Sequence, residues 1–160
     1  MTVIGVRGAV QDLDGFLKNV AKFEKTHSVT LQFFRSDRIF GLEHLASAAE
    51  KAVRAVQNGT AMSKTLAMEI MLYAAAERQT SEALRKLGIQ QETTEMAVVI
   101  IGYVPTDEFL RHFGLERDDS LLEPDGKDPC VFGIGADETE TGATVPELVL
   151  ERIALSEISR

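Results

Sequence analysis

The chain has 160 residues, 44% of them hydrophobic and 26% charged, with a single cysteine, Cys130; this is material for one domain with one sizeable core, and it excludes a disulfide framework or a cysteine-based metal cluster within the chain. Its longest apolar runs, Leu66 to Ala76 (broken by Glu69) and Met96 to Ile101, fall far short of the ~20 residues of a membrane span, and its first residues lack the pattern of a signal peptide, so a reducing, cytoplasmic setting is expected. A net charge of −8 argues against a strongly electrostatic binder of nucleic acid.

Thr2 to Val6 alternates weakly and reads as a short strand. Asp12 caps a helix whose apolar positions Leu13, Phe16, Leu17, Val20 and Phe23 keep helical spacing. Val29, Leu31 and Phe33 alternate with Thr30 and Gln32, the pattern of a half-buried strand. Gly41 to Gly88 then reads as three helices with almost no loop between them. The first buries Leu42, Leu45, Ala49, Val53 and Val56 and stops at Asn58-Gly59. The second opens with Ser63 as its expected cap, and between Leu66 and Ala76 its only ionisable groups are Glu69 and Tyr73. A helix so short of polar surface is enclosed on all sides or covered by a partner. The third is capped by Thr80 or Ser81, buries Ala83, Leu84 and Leu87, and stops at Gly88.

Met96 to Ile101 is a continuous apolar run rich in β-branched residues, as expected of a central strand covered on both faces. Pro105-Thr106 opens a short helix carrying Phe109, Leu110 and Phe113. Glu116 to Asp128 and Asp137 to Thr144 read as acidic loops, with Val131 to Ile134 between them as a short strand or docking segment. A closing helix runs from Pro146 to Ile158. The order of elements predicts an α/β protein of the α+β type: one domain over 1–160, with a small mixed or antiparallel sheet, helices packed on it and a central three-helix block.

Chemistry is sparse. His27, His44 and His112 lie far apart in the sequence and share no metal-ligand spacing. Cys130 sits in acidic surroundings that blunt a thiolate. Neither a nucleophile elbow nor a phosphate loop occurs, so no enzyme, metal or cofactor is expected. Glu69, Tyr73 and Glu77 share one helix face, and Arg78 follows. That group is either a buried ion pair that sets a helix angle or a site where Arg78 and Gln79 offer donors to phosphate or a base edge. Ser63 and Lys64, ahead of the apolar helix, are either a solvated capping turn or a phosphate contact. The closing helix carries apolar residues at 148, 149, 150, 153, 154, 155 and 158, a stripe wide enough to serve both a core and a partner. Charge is unevenly spread: residues 1–88 hold 12 Lys/Arg and 9 Asp/Glu, whereas residues 89–160 hold 5 and 16. A phosphate contact therefore belongs to the first part of the chain.

The residues Phe33-x₆-Phe40-Gly41-x₂-His44-Leu45-x₂-Ala48, Gly59, Ser63-Lys64, Glu69-Ile70-x-Leu72-Tyr73-Ala74, Glu77-Arg78-Gln79 and Gly88-Ile89 resemble the small kinase-binding subunit of the KEOPS complex, called PRPK-binding protein in animals and also found in archaea. The resemblance runs from about Phe33 to Gly102, and its most specific part is Leu72-Tyr73-Ala74-x-x-Glu77-Arg78-Gln79 with Gly88 nine residues on. It implies a non-catalytic subunit that binds the N-terminal lobe of the small atypical kinase, touches the other KEOPS subunits only indirectly, and helps to recruit the 3′ CCA end of tRNA for N6-threonylcarbamoyladenosine formation at position 37. Carried onto this chain, it places tRNA contacts at Ser63, Lys64, Arg78 and Gln79. It places kinase contacts at Met71, Leu72, Ala75 and the outer face of Leu148 to Ile158, with Leu148, Leu155 and Ile158 the named positions. The chain departs from the family pattern at Ala74-Ala75-Ala76, where relatives often carry serine or glycine, and in its acidic second half. The rival from another class is a small-molecule-binding or enzymatic domain with a pocket around Glu69, Tyr73 and Arg78.

Overall fold

The β-branched run after the helical block forms the strand around which the molecule is arranged. In the computed structural model, which describes residues 1–160, strands β1 (Thr2–Arg7), β2 (Thr30–Arg35), β3 (Glu95–Ile101) and β4 (Glu116–Arg117) form one sheet in the order β2-β3-β1-β4. Every pairing is antiparallel, with Phe33 opposite Val98 and Ile4 opposite Val98 on the other side. Successive residues of β3 point to opposite faces. Met96, Val98 and Ile100 enter one core, and Ala97 and Val99 enter the other. The strand is thus central and covered on both faces, as its composition predicts.

Helices α1 (Leu13–His27) and α5 (Thr106–Phe113) cover the first face. Their aromatic residues interlock there: Phe16 lies edge-on to Phe33 at 5.0 Å, and Phe23 meets Phe113 at 5.2 Å, separations at which such pairs attract. The second face is covered by α2 (Leu42–Gln57), α3 (Leu66–Ala75), α4 (Thr80–Leu87) and α7 (Val145–Ile158). Asp12 caps α1 by accepting from the Gly15 amide, as predicted. Gly41 precedes α2 with φ +113°, a conformation in which a side chain would be strained. In β1, a Cβ on Gly5 would fall 2.2 Å from the Asp118 carbonyl oxygen. Glycine there lets the segment after β4 close over the strand, and the Asp118 amide donates to the Gly5 carbonyl at 2.8 Å.

Several local expectations are corrected. Leu42, Val56 and Leu84, expected to be buried, are 50%, 46% and 44% exposed. The cap of α3 is Thr65, which accepts from the Met68 amide; Ser63 is turned inward. Helix α4 already includes Thr80 and Ser81, and Gln79 precedes it without a side-chain cap. Val131 to Ile134 is the docking segment of the two readings and not the strand: Asp128 accepts from the Cys130 amide, Pro129–Phe132 turns as a 3₁₀ helix, and Phe132 and Ile134 are buried in the core. The acidic stretches are also less irregular than expected. They hold β4, a 3₁₀ turn at Asp119–Leu122 and the short α6 (Ala136–Thr139).

Candidate functional site

Helix α3 is enclosed because it has neighbours on every side: α2, α4, α7 and β2 all pack against it. Its single carboxylate, Glu69, is fully buried. The carboxylate accepts from the amides of Met62 (3.0 Å) and Ser63 (2.9 Å) and from the Ser63 hydroxyl (2.8 Å). The Arg160 guanidinium completes the shell as an ion pair. Burial alone would raise the Glu69 carboxyl, but the bonds from Ser63, Arg160 and Met62 outweigh it and hold the group below the usual carboxylate range. Arg160 also stands over the Tyr73 ring, 3.7 Å from its centroid, close enough for a cation–π contact.

The expected relation between Glu69, Tyr73 and Arg78 is therefore not what forms. Arg160 occupies the space beside Glu69 and Tyr73, and Arg78 lines a different cleft. Glu77 does not pair with Arg78 either. It meets Lys86 at 2.7 Å, while the same ammonium donates to the Ala75 carbonyl at 3.2 Å at the end of α3. Sequence reasoning missed Arg160 altogether. A carboxylate on an apolar helix signals that a cation must come from somewhere, but nothing local says from where.

Arg78 and Gln79 are exposed on the short connection between α3 and α4. They line a cleft of about 800 Å³ together with Glu77, Glu82, Leu155 and Ile158, so the two sets of predicted contact residues meet at one place. Glu77 pairs with Lys86 and Glu82 with Arg85 at 2.7 Å each, and Arg78 makes no ion pair although both carboxylates line its cleft. Across the cleft, α7 presents Leu155 at 54% exposure and Ile158 at 79%. The same helix buries Leu148, Val149 and Ile153 in the core.

The remaining predicted contacts separate into two kinds. Lys64 is exposed on the turn before α3, whereas the amide and hydroxyl of Ser63 are spent on Glu69. Met71, Leu72 and Ala75 are at most 1% exposed and Leu148 is 6% exposed, so none of these four offers a side chain to a partner. The methionine-rich composition of α3 serves irregular packing here.

No three histidine, cysteine or acidic side chains converge closely enough to hold a metal ion. His27 stacks on Phe23 at 3.9 Å and contacts Glu108; His112 contacts Asn19 at 2.9 Å. His44 is buried, at 1% exposure. A second cleft, lined by Asp37, Arg38, Arg85, Lys127, Asp128 and Cys130, has its lysine committed: the Lys127 ammonium donates to the carbonyls of Ile39 and Leu121 at 2.6 Å each.

The family model of the kinase binding protein CGI-121 matches residues 10–123 of the chain. No curated protein matches it. The matched residues run from the approach to α1 through the 3₁₀ turn after β4, and α7 lies beyond them. No helix is long and apolar enough to cross a membrane.

Proposed function

The chain belongs to the CGI-121 family of kinase-binding proteins, and from that membership we propose that it is the small regulatory subunit of KEOPS. In this reading, residues 1–160 act as one non-catalytic domain in the cytoplasm. The domain docks on the N-terminal lobe of the small atypical kinase and helps to recruit the 3′ CCA end of tRNA for N6-threonylcarbamoyladenosine formation at position 37. Other KEOPS subunits are reached through the kinase.

The observation that carries the reading is the pair Leu155 and Ile158, exposed beside the cleft at the α3–α4 connection. Two large apolar side chains held out on the outer face of a helix whose inner face is already in the core lack an intramolecular reason to be there. They are the kinase contacts in this reading. Met71, Leu72, Ala75 and Leu148, buried in the larger core, hold the helices that present the surface.

For tRNA, the supporting residues are Arg78 and Gln79 in the cleft, after the C-terminal end of α3, and Lys64 on the turn before the N-terminal end of the same helix. A guanidinium that makes no ion pair within the chain suits a phosphate, even with Glu77 and Glu82 in the same cleft, and the amide of Gln79 suits a base edge. Three such residues suit a short single-stranded tail. The acidic second half of the chain, with 16 Asp/Glu against 5 Lys/Arg, opposes a long duplex contact.

The test is calorimetry of the chain with the small KEOPS kinase of the same organism, repeated with tRNA that has or lacks its CCA end. Micromolar or tighter association that only intact tRNA strengthens is the expected result. Leu155→Asp with Ile158→Asp is expected to abolish kinase binding, and Arg78→Glu to abolish the effect of tRNA alone. Absence of association between the wild-type chain and the kinase overturns the reading.

A further inference from the structure

Two parts of the chain that are distant in sequence meet at the Glu69 carboxylate. Its Oε2 accepts from the Met62 and Ser63 amides and from the Ser63 hydroxyl, and so holds the segment before α3. Its Oε1 pairs with the Arg160 guanidinium, just beyond the end of α7. The side chains of Arg160 and Glu69 are 7% and 0% exposed, so water does not screen the pair.

The arrangement is incomplete on the arginine side. Nη1 meets Glu69, but Nε and Nη2 are buried without an acceptor; the guanidinium lies over the Tyr73 ring, with its carbon 3.7 Å from the ring centroid. Buried donors without partners carry a desolvation cost that water would relieve. Withdrawal of Arg160 hydrates those donors. It also strands Glu69 as a buried charge without its counter-ion, which favours opening of the segment that covers it.

Ile158, exposed at 79%, lies two residues before Arg160. A partner seated on Leu155 and Ile158 engages the very end of α7, and Ser159 and Arg160 leave their places if that end is drawn into the interface. We propose that the Arg160–Glu69 pair is a latch through which a partner on the end of α7 controls the order of the turn that carries Ser63 and Lys64. That the partner is the kinase rests on the reading above; the latch itself does not. Because coupling is reciprocal, a ligand held on the Lys64 turn changes the affinity of the partner at α7 by the same factor.

Hydrogen exchange of the full chain tests both halves. In Arg160→Ala, exchange across residues 60–66 is expected to rise about tenfold or more while β3 keeps its protection, the signature of local rather than global opening. Arg160→Lys keeps the charge without the planar guanidinium and is expected to fall between the two. Unchanged exchange at 60–66 in Arg160→Ala overturns the latch, and so does a rise that β3 shares equally. With the kinase added to the wild-type chain, protection of α7 together with faster exchange at 60–66 supports the coupling. Protection of α7 with no change at 60–66 overturns the coupling and leaves kinase docking intact. No protection of α7 overturns the choice of partner, while the Arg160→Ala result still decides the latch.

Discussion

His44 donates from Nε2 to the Ala74 carbonyl at 2.8 Å and accepts at Nδ1 from the Phe40 amide at 3.0 Å. An amide can only donate, so Nδ1 is unprotonated and the ring is the neutral Nε2–H tautomer. Ala74 lies in the last turn of α3, where carbonyls lack helical partners, and the imidazole supplies one. One buried side chain thereby ties the approach to α2 to the end of α3.

Burial pushes the His44 imidazole down to about 4; the bond to Ala74 opposes this and the charge of Lys127 adds to it. In the unfolded chain the group titrates near 6.5. Between those values the unfolded state binds the proton that the folded state refuses. Stability is therefore full above about pH 6.5 and falls toward pH 4 by an amount on the order of 3 kcal/mol. Urea unfolding at several pH values across this window measures it. His44→Gln, which keeps one donor and one acceptor, is expected to be less stable at pH 7 and to flatten the slope. An equal slope in the two proteins assigns the pH dependence to other groups.

Ala76 sits at φ 52°, ψ 44° after α3. The Glu77 amide donates to the Leu72 carbonyl and the Ala76 amide to that of Tyr73, at 3.0 Å each. This is the Schellman closure, in which glycine is the usual residue at the left-handed position. Alanine there carries a steric penalty of about 1 kcal/mol. Ala76→Gly is expected to stabilise the chain by roughly 0.5–1 kcal/mol, a rise in Tm of a few degrees. A fall in Tm means that the packing of the half-buried methyl group outweighs the strain.

Arg152 fastens the acidic segment onto α7. Its guanidinium meets both oxygens of Glu138 at 2.8 Å and reaches the carbonyls of Phe132 and Gly133 at 3.3 Å. Arg152→Met keeps most of the aliphatic stem and removes the fork. The expected loss is about 1–2 kcal/mol, with protease sensitivity gained between residues 133 and 144 and α3 still protected. Cleavage rates unchanged from wild type in that stretch refute the fastening role.

The sheet and the helical block were legible because their signals are local. β3 is a run of six apolar residues, and α3 shows its need for enclosure in a composition almost free of polar groups. Partners at long range were not. Arg160 lies 91 positions from Glu69, and the carbonyl that His44 finds lies 30 positions away. Ser63 and Thr65 both suit a cap by residue type, serine slightly the better. The choice fell to Thr65 because Ser63 is taken by Glu69, a competition visible only once α3 is in place. The kinase contacts split for the same reason: the wide stripe on α7 announced two roles, but only packing shows that Leu148 faces in while Leu155 and Ile158 face out.

That split yields a last prediction. Met71 is 1% exposed among the side chains of the larger core, so Met71→Ala leaves a cavity and is expected to cost about 2–5 kcal/mol. Its kinase affinity at a temperature where it stays folded is expected to match wild type, since Met71 offers almost no surface to a partner. Leu155→Asp with Ile158→Asp is expected to do the reverse. Both positions are largely exposed, so stability should change by no more than about 0.5 kcal/mol per site. Kinase affinity should fall by about a hundredfold or more, the size of a hot-spot loss. Thermal melts and calorimetry on the two variants separate a residue that shapes the surface from one that is the surface. Undiminished binding by the doubly substituted α7 moves the kinase contact elsewhere on the molecule.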